Sequence, residues 1–334
     1  MTESRLPSGF HVIMNTLLGV AAQESQREFN RLYCSWDREC GKVDGCYAAR
    51  TCARPQAMPS SFSPQSCPRK SSMNDFIPYE IIEGDYDKGM VLLADHAMNL
   101  LPAHYGNLGL PQTAFHRHIA FDIGIEGLTR SLATRLGVPA VLGRFSRLLI
   151  DPNRGEDDPT LIMKISDGAI IPGNHPISDE EWQRRIEVFH RPYHDAVDRV
   201  LTGVAKASEE APLVLSLHSY TPFWKETPRP WHAAVLWDID HRAVDPLLAH
   251  LRATGDILVG DNEPYDGALK GDTMYRHCMM KGIPHALLEV RQDLIADEQG
   301  IAEWSDRLAP IFAAMNDDPV LHEYQQFASR TGPY

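Results

Sequence analysis

Short apolar segments alternate with segments of helical spacing from about residue 76 onward, and this alternation restricts the fold more than any other feature of the sequence. Residues 89–94 (GMVLLA) and 212–217 (PLVLSL) are apolar runs of the length expected for buried strands. Residues 124–136 have apolar side chains at helical intervals and are followed by Gly137, a typical helix cap. This alternation predicts an α/β fold, in which helices cover a central sheet.

The same pattern continues to the end of the chain. Further strands are predicted at residues 138–142, 233–237 and 286–290, and further helices from residue 178 and at residues 245–253 and 301–315. Several of the apolar strands are expected to end in a polar or ionisable residue, and these residues are His96, Arg147 with Asp151, His218 and Glu289. Because ligands of open α/β sheets bind beyond the carboxyl ends of the strands, we expect these side chains to line one site.

The first 73 residues differ in composition from the rest of the chain. They hold five of the six cysteines, and residues 55–72 are rich in Pro and Ser, as in a linker. The cysteines lack the closely spaced pairs of zinc modules, and polar residues interrupt the apolar patch near the N-terminus, which argues against a signal peptide. We predict a poorly ordered extension at residues 1–73 and a folded domain at residues 74–334, and whether translation begins at Met73 stays open.

Composition and charge exclude several classes of function. The formal net charge of −13 argues against a general nucleic-acid binder, because phosphate contacts need clustered Lys and Arg. No apolar run approaches the ~18–20 residues of a membrane span, so no membrane association is expected. After residue 73 the sole cysteine is Cys278, which favours a reducing compartment, the cytoplasm. A small anionic substrate is compatible with this chain, since one Arg can bind it, and nothing indicates an oligomeric state.

His96 and His218 each follow a predicted strand and can meet at the same edge of the sheet. Two imidazoles with an oxygen ligand and a water would form an open zinc site. Zinc in such a site lowers the pKa of its water and polarises a carbonyl group. For each histidine alone, the alternative is a strand-end residue bonded to the backbone, but their shared position favours a metal site.

Glu289 lies within an apolar segment, residues 287–290, directly before Arg291. A carboxylate that is buried beside an activated water can take its proton and later pass it to a leaving amine. Glu289 is therefore a candidate general base, and an ion pair with Arg291 is the alternative.

Residues 144–154 (RFSRLLIDPNR) carry three arginines among several polar side chains. Guanidinium groups bind carboxylates in a bidentate manner, and an Arg can also stabilise an oxyanion. A solvated surface loop is the alternative. Because Arg147 precedes an apolar triplet at residues 148–150, at least one of these charged groups must lie near the core, where it needs a partner.

Five motifs follow one another along residues 76–316. They are DHAMNLLP at residues 95–102, SRLLIDPNR at residues 146–154, LHS at residues 217–219, NEPY at residues 262–265 and EVRQDL at residues 289–294. In this order they resemble the motifs of the N-formylglutamate amidohydrolases. That family is similar in fold to the zinc carboxypeptidases, so the resemblance implies a one-domain, three-layer α/β/α sandwich with a mixed central sheet (phosphorylase/hydrolase-like).

The resemblance implies that His96 and His218 bind zinc. The zinc peptidases use a glutamate three residues after the first histidine, but Asn99 occupies that position here, and its amide oxygen carries no charge. A carboxylate from elsewhere must complete the site. Asp122 is our candidate, with Asp95 behind it, and either could instead orient an imidazole.

The resemblance also implies roles for the remaining site residues. Glu289 would be the general base, and Arg147 would contact the anion that develops during catalysis. Asn153 and Arg154 match the Asn-Arg pair that binds a substrate carboxylate in the zinc carboxypeptidases. Tyr265, on a loop, would cover the bound substrate.

Together these observations predict a metal-dependent amidohydrolase that converts N-formyl-L-glutamate and water into formate and L-glutamate. One alternative keeps the metal but changes the substrate, giving a peptidase or deacylase for another N-acyl amino acid or peptide, since fold and metal site do not determine the acyl pocket. The other alternative is a metal-free, non-catalytic binder of an acidic metabolite, which Asn99 in place of a glutamate suggests.

Overall fold

The structure of the chain is a computed structural model, and it describes residues 76–333. The extension predicted at residues 1–73 lies outside the described residues, and the domain predicted at residues 74–334 is described almost in full. Within the described part of the chain, no helix is both long enough and apolar enough to cross a membrane.

A mixed sheet of seven strands forms the centre of the described domain. The strands are β1 (Tyr79–Ile82), β2 (Met90–Ala94), β3 (Ala140–Gly143), β4 (Leu213–Tyr220), β5 (Ala233–Leu236), β6 (Val259–Asp261) and β7 (His285–Arg291). Their order across the sheet is β1-β3-β2-β4-β7-β5-β6. β1 is antiparallel to β3 and β5 is antiparallel to β7, whereas the other neighbours are parallel. Two small hairpins pair Ile165–Ser166 with Ala169–Ile170 and Phe223–Trp224 with Thr227–Pro228.

Helices connect most of the strands. They are α1 (Ile125–Leu136), α2 (Asp179–Arg185), α3 (Arg191–Ser208), α4 (Val244–Ala253), α5 (Thr273–His277) and α6 (Glu298–Asn316). A π-helical segment, Ile186–His190, joins α2 to α3. Short 3₁₀ turns occur at Tyr86–Lys88, Ala103–Tyr105, Gln112–His116, Pro172–Asn174, Met279–Lys281, Gln292–Leu294 and Pro319–His322.

The helices cover both faces of the sheet, each over its own hydrophobic core. Because neighbouring side chains of a strand point to opposite faces, β2 contributes Leu92 to one core and Leu93 to the other. Helices α1, α4 and α6 pack on the face of Leu92, and α3 packs on the face of Leu93. The predicted three-layer α/β/α sandwich with a mixed sheet is therefore confirmed.

The strand expected to end before His218 is longer than predicted. β4 continues through His218 and Ser219 to Tyr220, because all seven residues of β7 pair with residues 214–220 of β4. His218 is therefore held in the sheet itself, with the rigidity of a strand, and not in the loop that follows.

The expectation that a strand ends at Arg147 and Asp151 is wrong. β3 ends several residues earlier, and the apolar triplet at residues 148–150 lies fully buried in a turn. Side-chain donors replace the missing strand neighbours, since the guanidinium of Arg185 donates to the carbonyl of Leu149 at 2.9 Å. A short apolar run is compatible with a buried turn as well as with a strand, so its pattern alone cannot separate the two.

Two glycines allow close backbone approaches next to the site. A Cβ atom on Gly143 would lie 2.1 Å from the carbonyl oxygen of Asp95. Gly124 has a φ of +84°, and a Cβ atom there would lie 2.1 Å from the carbonyl oxygen of Ile295. A larger residue would therefore displace the turn after β2 or the segment before α1.

Candidate metal centre and active site

Three neighbouring strands bring predicted site residues to one edge of the sheet. β2, β4 and β7 are adjacent and parallel, so their carboxyl ends meet. Asp95 and His96 follow β2, and His218 on β4 lies opposite Glu289 on β7. All four side chains are buried. The structure thus places two imidazoles and two carboxylates together at these strand ends.

Asp122 joins the two histidines in what we call the strand-end cluster (His96, Asp122 and His218). Asp122 Oδ2 lies 2.8 Å from His218 Nδ1 and 3.4 Å from His96 Nδ1. One ligand atom from each of the three side chains lies within 4.8 Å of the other two. The segment of Asp122 is fixed beside β2, because the backbone N–H of Asp122 donates to the carbonyl of His96 at 2.9 Å.

A second carboxylate contacts the far side of each imidazole. Asp151 Oδ1 accepts a hydrogen bond of 2.6 Å from His96 Nε2, and Asp95 Oδ2 lies 3.4 Å from His218 Nε2. Both carboxylates favour the tautomer with the proton on Nε2, which leaves the two Nδ1 atoms to face Asp122. Of the two roles considered for Asp95, its position fits the one that orients an imidazole.

Asp95 is itself held by two hydroxyl groups, and Asn99 lies apart. The hydroxyls of Tyr193 and Thr273 donate to Asp95 Oδ1 at 2.5 and 2.9 Å, so Oδ2 remains for His218. The side-chain amide of Asn99 donates to the carbonyl of Phe115, and Asn99 is not part of the strand-end cluster.

The geometry of the strand-end cluster fits a divalent cation. In a tetrahedral zinc site with bonds of about 2.0–2.2 Å, neighbouring ligand atoms lie about 3.3 Å apart. The separations of 2.8 and 3.4 Å around Asp122 Oδ2 are close to this spacing. His96 Nδ1 is buried and has no hydrogen-bond partner among residues 76–333, so its lone pair can bind a metal. Two imidazoles and one carboxylate also form a known ligand set of catalytic zinc sites, which keep one position open.

The charges around the cluster favour a cation as well. Burial lowers the pKa of His96 and of His218, but the neighbouring carboxylates outweigh burial and raise both pKa values. Burial raises the pKa of Asp122, but the imidazoles outweigh it and hold this pKa below its ordinary value. The carboxylates therefore stay charged and draw positive charge into the cluster, whether as protons or as a metal ion.

Glu289 is buried without a cationic partner. It is 9 % exposed, its Oε2 atom has no hydrogen-bond partner among the described residues, and burial raises its pKa to about 7. The ion pair considered with Arg291 is not found, since that guanidinium binds Asp293 at 2.8 Å. A buried carboxylate with a pKa near neutrality can both accept and return a proton.

Arg147 belongs to the same charged group and not to a solvated loop. Its guanidinium donates to Asp151 Oδ2 at 2.8 Å and lies 3.5 Å from Asp122 Oδ1. Burial lowers its pKa, but the two carboxylates outweigh burial and raise it. A fixed positive charge here can stabilise a negative oxygen that forms beside the cluster.

Asn153 and Arg154 lie on a loop whose backbone is fixed by its neighbours. The N–H of Asn153 donates to Asp151 Oδ1 at 2.9 Å, and the N–H of Thr273 donates to the side-chain oxygen of Asn153 at 3.0 Å. Arg154 Nη1 donates to the carbonyl of Asn153 at 3.0 Å. Because the side-chain oxygen of Asn153 is already bonded, its amide nitrogen is the atom that could donate to a ligand.

Two buried histidines contact this loop and a third contacts one of them, and we call the three the helix cluster (His190, His194 and His277). His194 Nε2 donates to the carbonyl of Pro152 at 3.0 Å, and His190 Nε2 donates to the carbonyl of Arg154 at 2.9 Å. His277 Nε2 lies 2.9 Å from His194 Nδ1 and must donate to it, because His194 already donates from Nε2. Burial lowers the pKa of all three, to about 4 for His190 and about 3 for His277, so they are neutral.

Tyr265 lies at the rim of the site and is 42 % exposed. Its ring centre is 4.9 Å from the guanidinium carbon of Arg229. Burial raises the pKa of its hydroxyl, and the charges of Arg229, Glu289 and Arg147 also act on it. The hydroxyl is therefore close enough to these three residues for their charges to affect its pKa.

The residues that support the site from the helices were not assigned to it from the sequence. Tyr193 and His194 lie on α3, and Thr273 and His277 lie on α5. The signal available was the presence of polar side chains on the apolar face of α3, because buried polar groups need partners.

A family model described as N-formylglutamate amidohydrolase matches residues 89–296, which is more than half of the chain. The matched range includes every residue that the sequence placed in the site. Among curated proteins, none matches this sequence.

Two solved structures are similar to the chain over nearly their whole length. A gene product of Agrobacterium tumefaciens has 28% sequence identity and a TM-score of 0.67, and the match covers 73% of this chain and 96% of that protein. The N-formylglutamate amidohydrolase of Ralstonia eutropha JMP134 has 22% identity and a TM-score of 0.54, and the match covers 72% of this chain and 98% of that protein. At 22% identity, the second likeness is one of fold.

Proposed function

Because the chain belongs to the N-formylglutamate amidohydrolase family and is thus an amidohydrolase, we propose that it cleaves N-formyl-L-glutamate to formate and L-glutamate with the help of a divalent metal. The observation that supports this most is the position of Glu289, a buried carboxylate without a cationic partner among the described residues. It lies opposite His218 and therefore beside the strand-end cluster.

His96, Asp122 and His218 would hold the metal, for which zinc is the first candidate. Such a cation, when bound, lowers the pKa of a water molecule and polarises the carbonyl group of the substrate amide. Asp151 and Asp95 would keep the two imidazoles oriented toward it.

Glu289 moves the proton. It takes a proton from the water as the water oxygen adds to the formyl carbon, and it delivers this proton to the amide nitrogen as the C–N bond breaks. Arg147 stabilises the negative charge on the former carbonyl oxygen. The water oxygen leaves in formate, and the nitrogen leaves as the amine of L-glutamate.

The substrate is a small anion, and the loop of Asn153 and Arg154 would bind its α-carboxylate. The Arg154 guanidinium supplies the charge and the amide nitrogen of Asn153 a further hydrogen bond. Tyr265, at the rim, would cover the bound substrate. We place the reaction in the cytoplasm, because Cys278, the one cysteine among the described residues, is buried with a free thiol.

Release of formate tests this proposal. Purified protein is incubated with N-formyl-L-glutamate as isolated, after treatment with a chelator, and after zinc is restored. We expect turnover that the chelator removes and zinc restores. Turnover that resists complete removal of metal would contradict metal dependence.

Two other results would replace the proposed substrate or activity. A zinc-loaded sample that releases no formate but cleaves another N-acyl amino acid or a peptide would identify a deacylase or peptidase. A sample that retains no metal and cleaves none of these compounds would identify a non-catalytic binder of an acidic metabolite.

A further inference from the structure

Two arginines of the described domain are more than nine-tenths buried, and they differ in how their charge is balanced. Arg185 is 2 % exposed and Arg229 is 7 % exposed. Arg185 binds the carboxylate of Glu181 at 2.8 Å and donates to three further oxygen atoms, on Leu149, Gly173 and Asn174. Its charge and its donors are therefore satisfied within the protein.

Arg229 has no carboxylate within 4.0 Å among residues 76–333. Its Nη1 atom donates to the carbonyl of Thr221 at 3.2 Å and to the hydroxyl of Thr221 at 3.0 Å. A guanidinium has five N–H donors, so the two bonds to Thr221 and the bond to the Tyr265 hydroxyl leave some donors without a partner. A charge that is buried without an anion is costly, and such a group gains strongly from an anionic ligand.

Aromatic rings surround this guanidinium. The ring centres of Tyr265, Tyr220 and Trp224 lie 4.9, 5.6 and 5.6 Å from its central carbon. The rings offset part of the charge and fix the guanidinium plane, and the Tyr265 hydroxyl also forms a hydrogen bond with the guanidinium. They therefore enclose the remaining donors of the guanidinium, which a carboxylate could bind.

The segment of Arg229 lies at the same edge of the sheet as the candidate active site. Arg291, the last residue of β7, donates to the carbonyl of Arg229 at 3.3 Å. The charges of Arg229, Arg147 and Glu289 all act on the hydroxyl of Tyr265. Arg229 and Glu289 are therefore both close to Tyr265.

Arg154 acts elsewhere in the site. Its charge acts on Asp151 and on Asp272, and its loop is held by the helix cluster. Arg154 and Arg229 therefore lie beside different groups, Arg154 beside Asp151 and Asp272 and Arg229 beside Tyr265.

We propose that Arg229 binds a second carboxylate of the substrate and thereby selects N-acyl derivatives of dicarboxylic amino acids. This inference rests on the proposed function, in which Arg154 binds the α-carboxylate. Arg229 would then bind the side-chain carboxylate in a bidentate manner, between Tyr265 and Tyr220. A site built for a charged group rejects a neutral analogue of the same shape, because its own buried cation is left without an anion.

The test compares ligands that differ only at the second carboxylate. Formate release from N-formyl-L-glutamate and from N-formyl-L-glutamine is measured with the wild type, Arg229→Gln and Arg154→Gln. Hydrogen bonds to charged groups contribute about 1.5–3 kcal/mol, so we expect the wild type to prefer the glutamate compound roughly 10- to 150-fold in kcat/KM. Arg229→Gln should reduce this ratio to near one, whereas Arg154→Gln should slow both substrates alike.

Arg229→Lys is a second variant, which is used if Arg229→Gln does not fold. It keeps the charge but loses the two-pronged geometry, so its ratio should lie between those of the wild type and Arg229→Gln. A purely structural role would lower the thermal stability of either variant and leave the ratio unchanged. An unchanged ratio, or a wild type that does not distinguish the two substrates, would overturn the inference and leave the amidohydrolase activity standing.

A binding measurement separates this inference from the proposed function. Calorimetric titration with glutarate and with its monoamide needs no turnover, and we expect the wild type to bind glutarate at least about tenfold more tightly. Arg229→Gln should lose this preference. If no formyl compound is cleaved, the proposed function fails while this titration still decides the role of Arg229, and equal affinities for the two ligands in the wild type would overturn it.

Discussion

The strand-end cluster and the helix cluster contain the same residue type at the same depth, but they have opposite electrostatics. His96 and His218 are 2 % and 3 % exposed, and His194 and His277 are each 3 % exposed. Carboxylates surround the first pair and raise its pKa values against the effect of burial. Backbone carbonyls and other imidazoles contact the second pair, and Asp198 lies 3.9 Å from His277. Burial and the charges of Arg276 and Lys281 outweigh this carboxylate and lower the pKa values of the second pair.

The groups that contact a buried histidine, more than its burial, therefore determine its pKa and whether it can bind a cation. The strand-end cluster attracts a cation, because two of its neighbours are carboxylates that stay charged. The helix cluster is neutral and can only donate and accept hydrogen bonds, which fix the loop of Asn153 and Arg154. Mutations in the two clusters should therefore change different measured quantities.

The largest difference is expected for loss of a histidine from each cluster. His218→Ala should lose bound metal and more than about a thousandfold in turnover, because a metal acting as a Lewis acid supplies several kcal/mol. His194→Ala, the matched control, should retain its metal. Metal analysis and formate release measure these two quantities. Equal loss of metal in the two variants would contradict the conclusion that the metal binds at the strand-end cluster.

Removal of the candidate base should separate catalysis from metal binding. Glu289→Gln should lower kcat by about 10²- to 10⁴-fold, the contribution typical of a general base, while the metal content stays unchanged. Turnover at the wild-type rate would exclude Glu289 from proton transfer.

A carboxylate behind an imidazole should have a smaller effect. Asp95→Asn keeps an oxygen for the hydroxyls of Tyr193 and Thr273 but loses the negative charge near His218 Nε2. Metal affinity should fall about 10- to 100-fold, as is typical for such supporting carboxylates. Competition with a metal-binding dye measures this affinity, and an unchanged value would show that Asp95 does not support His218.

The helix cluster should influence substrate binding more than catalysis. His194→Gln weakens the hydrogen bond to the Pro152 carbonyl and loosens the adjacent loop. One neutral hydrogen bond contributes about 0.5–1.5 kcal/mol, so KM should rise roughly 2- to 12-fold while kcat and metal content stay near wild type. A fall in kcat without a change in KM would contradict the positioning role.

Low pH should reduce the free energy of unfolding through protonation of the helix cluster. The pKa of His277 is lowered from 6.5 to about 3 in the folded chain, so the unfolded chain takes up a proton first as the pH falls. The stability that depends on neutral His277 is therefore present above pH 6.5 and is lost as the pH falls toward 3. In His277→Gln the unfolding free energy should fall less steeply, by up to about 1.4 kcal/mol per pH unit. Equal slopes in urea unfolding would contradict this.

The sequence was sufficient to predict the part of the site that regular strands carry. Apolar runs indicated β2, β4 and β7, and the parallel arrangement then brings His96, His218 and Glu289 to one edge. Their residue types indicated a metal and a base because strand ends are where α/β sheets bind ligands. The order of the five motifs, which resembles that of a known family, supported the same assignment.

The contacts of the site that could not be predicted from the sequence depend on irregular segments or on residues far apart in the chain. Asp151 reaches His96 through a buried turn, which the apolar pattern indicated as a strand. The helix cluster depends on the contact of His277 on α5 with His194 on α3, and this contact has no local signature in the sequence. Arg229 likewise gains its surroundings from Tyr265, which lies far along the chain.

The most direct test of the comparison is to locate the metal. Crystals of the protein grown with zinc would be measured at the zinc absorption edge. We expect one anomalous peak at bonding distance, about 2.0–2.2 Å, from His96 Nδ1, His218 Nδ1 and Asp122. A peak at the helix cluster, or no peak in a protein that releases formate, would contradict the account.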